Sequence, residues 1–151
     1  VASAKFEVKT GIMCVATPFF ATGCYCTFGI DTDRKPFVEF VAPSGGTKRI
    51  TASNAIGDAP VVLSVVKSGN TKTLRVHGVS AGTDTTAMIG GAAPTESTIG
   101  SYTSALLIKG NVYSYLPIKG TFTDAEVALL EQQAAKAAGG KLVSGSFVSD
   151  I

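Results

Sequence analysis

Few residues in this chain have the types and spacing that support chemistry. It has one histidine, His77, and three cysteines. Base catalysis needs a histidine oriented by a partner. His77 stands beside Gly78 at the end of a predicted strand, which reads as a turn or surface residue. No G-x-S-x-G elbow accompanies it, so a serine-hydrolase arrangement is not expected. Cys14, Cys24 and Cys26 are an odd set with no second pair and no neighbouring histidines, which argues against a four-ligand zinc site. Their simplest reading is as small buried apolar groups. A bridge from Cys14 to Cys24 or Cys26 across a hairpin stays open for an oxidising compartment. Asp31-Thr32-Asp33 offers carboxylate oxygens, making Asp31 and Asp33 candidate metal ligands. Calcium wants six to eight oxygens, and the same pattern also forms an ordinary Asx turn. Glu39 stands alone in Phe37-Val38-Glu39-Phe40-Val41 and reads as an outward charge on an alternating strand. Retaining or inverting glycoside hydrolysis needs a second carboxylate at a fixed separation, and no such spacing is present.

Sugar recognition asks for an aromatic ring to stack on a pyranose and for amide or carboxylate hydrogen bonds. The chain has no tryptophan and four tyrosines. The candidate set is Tyr102, Asn111 and Tyr113. Tyr102 lies in a Gly/Ser/Thr context and reads as exposed. Tyr113 and Tyr115 fall on one face of an unbroken strand, so both could instead be core. No cofactor is expected, and the chain reads as a non-enzyme.

The elements that must position these residues are mostly strands. The 151 residues fit one domain, 1–151, long enough for a real core. Only 16% of residues are charged, against a usual ~25%. Mean hydropathy is positive. Seventeen glycines and much Thr, Ser and Val favour strands and turns. A net charge of +2 without a basic run speaks against nucleic-acid binding. Residues 10–30 carry no charge, but Gly11, Pro18, Gly23 and Gly29 interrupt them. Two strands around a turn near Thr17-Pro18 fit better than a membrane-spanning helix. No signal peptide is read at the start.

Alternation predicts strands over Lys5–Lys9, Ile12–Ala16, Cys24–Ile30, Phe37–Val41 and Lys48–Ala52. Pro43-Ser44-Gly45-Gly46 and Lys67-Ser68-Gly69-Asn70-Thr71 are turn signals. The apolar run Val61-Val62-Leu63-Ser64-Val65-Val66 reads as a buried sandwich strand. Thr73–Val79 is read as the next strand, Ser80–Asp84 as a loop, and 84–97 as a long surface loop. Thr123 and Glu126 form a capping-box signature for a helix over 124–138, closed by Gly139-Gly140. Val127, Leu130 and Ala134 give that helix an apolar stripe. The tail 141–151 reads as one more strand or an interaction arm.

Several segments carry a family resemblance. They are Thr98-Ile99-Gly100, Leu106–Tyr113, Leu116-Pro117-Ile118 and Thr121–Glu131, preceded by Leu74-Arg75-Val76-His77-Gly78-Val79. Strand, turn, strand and a capped helix in this order resemble the C-terminal end of concanavalin A-like (laminin G-like) lectin domains. The resemblance covers residues 36–138, and it is similar to versions common in bacteriophage virion proteins. Such domains run to roughly 180–200 residues, so the early strands are shortened here.

The resemblance implies an all-β fold, an antiparallel jelly-roll β-sandwich with one C-terminal α-helix. It also implies a non-catalytic virion structural protein acting as capsid decoration, tail fibre or host-adhesion module. The partners would be other virion subunits in a homo-oligomer, together with a cell-surface glycan. The location would be the virion. The alternative is a soluble carbohydrate-binding module attached to or partnering an enzyme. Laminin G-like domains sometimes hold Ca²⁺ at a loop edge, which is the resemblance's reason for weighing Asp31 and Asp33.

Overall fold

The computed structural model describes residues 1–6, 13–21, 24–88, 96–99, 110–118 and 120–150, with side chains described for all of these except 6, 13–21, 24, 25 and 96–99. One five-stranded antiparallel sheet contains β1 (Ala2–Phe6), β6 (Val61–Ser68), β7 (Thr71–Val76), β8 (Val79–Asp84) and β10 (Gly110–Tyr115), in the order β10-β1-β6-β7-β8. A second contains β2 (Met13–Ala21), β3 (Cys24–Ile30), β4 (Pro36–Val41), β5 (Thr47–Thr51) and β9 (Glu96–Ile99), in the order β5-β4-β3-β2-β9. One helix, α1 (Asp124–Ala137), precedes a hairpin of β11 (Gly140–Val143) and β12 (Ser146–Ser149). An all-β antiparallel sandwich with one C-terminal helix is therefore the fold, as the sequence predicts.

The core lies between the two sheets. Ala2, Ala4, Val61, Leu63 and Leu74 from the first sheet meet Cys26, Phe28, Ile30, Val38, Phe40 and Ile50 from the second. Each large side chain taken fully out of water contributes on the order of 1.5–3 kcal/mol. Successive residues of β6 serve different layers. Val61 and Leu63 enter this core, while Val62 faces the opposite way and packs with Ala134 and Ala135 of α1. A strand covered on both faces needs a continuous apolar run, which is what β6 has.

The helix lies across the outer face of the first sheet. Its N-terminus has the expected capping box: Thr123 Oγ1 accepts from the Glu126 N–H at 3.3 Å, and the Glu126 carboxylate takes the Thr123 N–H at 2.7 Å. The apolar stripe read from sequence misses Glu131 and Ala135 and includes Leu130, which is only half-buried. Val127, Glu131, Ala134 and Ala135 are the buried set, with a carboxylate in the middle. The tail forms the β11–β12 hairpin, closed by Ser144 and Gly145 at φ 49° and 77°. Two residues at positive φ match the twist of the flanking strands.

Other boundaries differ from the sequence reading. The expected turn at Thr17-Pro18 is absent, because β2 runs from Met13 through Ala21 and Pro18 sits opposite Ser97 of β9. β2 carries register shifts against β3 between Cys14 and Ala16 and between Phe19 and Ala21. The strand expected over Lys5–Lys9 is seen only as far as Phe6, and residues 7–10 lie outside the described part. Ser80–Asp84 is strand β8 rather than a loop. His77 and Gly78, at φ 51° and 84°, make the two-residue turn between β7 and β8. Within the loop expected over 84–97, Glu96 and Ser97 already belong to β9, and 89–95 lie outside the described residues.

Candidate functional site

Two of the three residues proposed for sugar contact lie on one strand. Tyr102 lies outside the described residues. Asn111 and Tyr113 both lie on β10, an edge strand whose described partner is β1. The pairing Ser3↔Ser114 is followed by Ala4↔Val112, so Tyr113 is an extra residue in a β-bulge. The bulge resets the alternation. Val112 and Tyr115 turn into the core, where the Tyr115 and Phe28 ring centroids lie 6.1 Å apart. Asn111 and Tyr113 stay on the solvent side, with Tyr113 38% exposed. Tyr113 and Tyr115 thus do not share a face, and the expectation that both could be core is corrected for Tyr113.

Further along the strand, the outer face of β10 meets α1 around a cavity of about 250 Å³. Ser114, Tyr115 and Leu116 form the strand wall; Leu130, Gln133 and Ala134 form the helix wall, and Val1 closes the gap between them. Val1 is held in place by its N–H donating to the Leu116 carbonyl at 3.0 Å. Leu130, Gln133 and Ala134 are spaced i, i+3, i+4 and so lie on one helical stripe. The lining is mostly apolar with two polar side chains, the usual make-up of a small-molecule site. Ser114 Oγ lies 2.9 Å from Ser3 Oγ in a shared hydrogen bond.

Two anchors fix the helix wall. Glu131, 1% exposed, accepts from Arg75 Nε at 2.8 Å and from its terminal nitrogen at 3.2 Å. Ser64 Oγ donates to the same carboxylate. The hydrogen bond to Glu131, more than any other influence, pushes the Arg75 pKa above its ordinary value. Next along the helix, Gln132 binds the Leu142 backbone with both amide atoms, at 2.8 and 3.0 Å. Nothing local singled out Glu131, because Arg75 lies 56 residues away. Nor did the sequence show the cavity; the adjacent Gln132 and Gln133 in mid-helix are the only local signal that polar groups there have work beyond solvation.

Several other titratable groups are held in structural roles. Asp31 Oδ1 accepts the backbone N–H groups of Asp33 at 3.0 Å and Lys35 at 2.8 Å, an Asx turn. Among the described residues, no group of three or more His, Cys, Asp or Glu side chains is disposed to hold a metal ion. Glu39 pairs with Arg49 at 2.8 Å across β4 and β5, and the Arg49 guanidinium covers the Phe37 ring at 4.2 Å. Cys26 is a free buried thiol whose pKa burial pushes up to about 12. Cys14 sits opposite Gly29, and the side chains of Cys14 and Cys24 lie outside the described part. Burial lowers the His77 pKa, and its Nδ1 is buried with no hydrogen-bond partner. Lys72 is buried and donates to the Asn70 carbonyl at 2.6 Å and to the Thr86 carbonyl, with its ammonium 4.3 Å above the Phe40 ring. Among the described residues, no helix is long and apolar enough to cross a membrane.

No protein-family model and no curated protein matches the sequence. Among solved structures, the chain is similar to the CBM40 of Ruminococcus gnavus IT-sialidase bound to α2,6-sialyllactose, with TM-score 0.48 and 12% identity over 74% of this chain and 68% of that one. It is also similar to an S-layer domain-containing protein (residues 221–444) from Clostridium thermocellum ATCC 27405, with TM-score 0.41 and 21% identity over 83% of this chain. In that second case the match spans 65% of the other chain.

Proposed function

We propose that this protein is a non-catalytic recognition module that takes a sugar on the face formed by β10 and α1. The observation that carries the reading is the β10 bulge. It holds Tyr113 on the solvent side with Asn111, on the strand whose next residues line the cavity. An exposed tyrosine ring offers a flat apolar surface for the C–H face of a pyranose, and an asparagine amide offers a donor and an acceptor for its hydroxyls. The non-catalytic part rests on the carboxylates: Glu131, Glu39, Glu126, Asp31 and Asp58 each have a structural partner. A free oxygen pair for acid–base work is therefore not assembled from them.

The test is a glycan screen of the full chain, followed by titration of the best sugar against Tyr113→Ala and Asn111→Ala. Each substitution is expected to weaken binding by about tenfold or more, the scale of a lost stacking contact or hydrogen bond. Both residues are exposed, so the melting temperature should stay within a few degrees. Tyr102→Ala belongs in the same series, as the third residue singled out in the sequence. Absence of glycan binding, or unchanged affinity in Tyr113→Ala, would overturn the proposal.

A second reading is a subunit of a larger particle such as a virion. It is favoured by the exposed Leu116, Ile118, Phe122 and Leu129, a set of large apolar side chains running from the end of β10 into α1. Light scattering on the native species separates the two: a particle-sized or trimeric mass favours assembly, and a monomer favours the isolated module.

A further inference from the structure

We propose that the cavity between β10 and α1 seats an acetamido group, so that this face selects an uncharged N-acetylated hexosamine over the parent hexose. The inference rests on the sugar reading above and assigns the ligand class of that site. Its first argument is the lining. Leu116, Leu130, Ala134 and Val1 supply apolar surface, no acidic or basic side chain lines the space, and the Val1 ammonium at its edge is engaged by the Leu116 carbonyl at 3.0 Å. A bare sugar hydroxyl placed against those apolar walls would leave them unfilled, whereas a methyl group is suited to them.

The second argument is the placing of the polar groups. A trans amide presents its N–H and C=O on opposite edges. A pocket that recognises it therefore needs one partner on each wall. Gln133 supplies an amide from the helix wall and Ser114 a hydroxyl from the strand wall. Both have capacity left. Gln133 makes no side-chain hydrogen bond to any described residue, in contrast to its neighbour Gln132, which spends both amide atoms on Leu142. Ser114 Oγ shares one hydrogen bond with Ser3 Oγ, and a hydroxyl has one donor and two acceptor positions. The ligand C=O would accept from Gln133 Nε2, and its N–H would donate to Ser114 Oγ.

The third argument is size. A cavity of about 250 Å³ lies below the ~300–1,000 Å³ of sites that enclose a drug-sized molecule. It holds a substituent or a single ring and leaves the rest of the sugar outside, within reach of the exposed residues of β10.

The experiment is calorimetric titration of the full chain with N-acetylglucosamine, N-acetylgalactosamine, glucosamine, glucose and galactose. The N-acetylated sugars are expected to bind at least about tenfold more tightly than the parent hexoses, for one methyl and one or two hydrogen bonds gained. Gln133→Ala, an exposed position, should reduce that preference to less than about threefold without lowering the melting temperature. Equal binding of hexose and N-acetylhexosamine, both dependent on Tyr113, would sink the acetamido assignment and leave the sugar reading standing. An acetyl preference that survives in Gln133→Ala would also sink it. No binding by any of the five sugars would sink the acetamido assignment, while the glycan screen decides the sugar reading by itself.

Discussion

Glu131→Ala is the substitution most informative about how the helix is held. The Glu131 side chain is 1% exposed and that of Arg75 17%. The carboxylate satisfies two Arg75 nitrogens and the Ser64 hydroxyl. Truncation leaves those donors without their acceptor at the sheet–helix interface. Breaking a buried ion pair from one side costs about 3–5 kcal/mol. Two features pull the value to the low end. Arg75 retains some access to water, and its guanidinium still donates to the Gly78 carbonyl. The expected loss is therefore about 3 kcal/mol. For a chain of this length it corresponds to a fall in melting temperature of roughly 6–12 °C.

Urea unfolding followed by circular dichroism measures the loss, with the slope checked for constancy. Glu131→Gln should lose about half as much, since its amide oxygen still accepts from Arg75 and Ser64 while the charge is gone. Replacing both partners, Arg75→Met with Glu131→Leu, should recover most of the deficit, because an apolar pair avoids the desolvation cost of two charges. A loss below about 1 kcal/mol for Glu131→Ala would refute the reasoning. It would mean that water already reaches the carboxylate and that apolar contacts alone dock the helix.

Three further outcomes follow from the same interactions. Thr123→Ala should lower stability by about 1 kcal/mol, seen as a melting-temperature drop of roughly 2–4 °C, through loss of the cap at the start of α1. The depressed pKa of His77 makes stability pH-dependent with a definite sign: the unfolded chain takes up the proton first, so stability falls as pH drops below the ordinary histidine value of 6.5. His77→Gln should flatten the stability–pH profile between pH 6.5 and the lower folded pKa; an identical slope in both proteins counts against it. With its thiol pushed up to about 12 and buried, Cys26 should resist iodoacetamide at pH 8 in the folded protein and react in urea. Peptide mass spectrometry reads the labelling, and fast modification of folded protein would show that the site opens.

How much was legible in the sequence depended on the range of the signal. The capping box at Thr123 and Glu126 is local, and it appears as read. The apolar run of β6 is also local, and its two-sided burial follows from composition. His77 was read as a turn or surface residue, but the strand was carried through it to Val79, because hairpin signals favour Asn-Gly and Asp-Gly, whereas here a histidine takes positive φ. The shared face read for Tyr113 and Tyr115 failed because strict alternation assumes an unbroken pleat, and one bulged residue reverses every face beyond it. Glu131 was not singled out in the sequence. Only the folded sheet brings Arg75 and Ser64 beneath Glu131. The cavity belongs to the same class of feature, since its walls come from segments separated by the whole capped start of the helix.

The placement of the candidate site follows from these anchors. Adjacent side chains on a helix point about 100° apart, so fixing two neighbours fixes the rotation of the turn that carries them. Glu131 is held to β6 and β7 from below, and Gln132 is held to β11 from the side. With that turn set, Leu130, Gln133 and Ala134 face the outer surface of β10. The bulge at Tyr113 then puts an aromatic ring and the Asn111 amide on the solvent side of that strand. A ligand arriving there meets walls already in position, so little ordering entropy is lost on binding. The buried ion pair thus positions the helix wall of the cavity: when the helix loosens, the site should weaken before the sandwich core unfolds, because the core cluster between the two sheets contains no residue of α1.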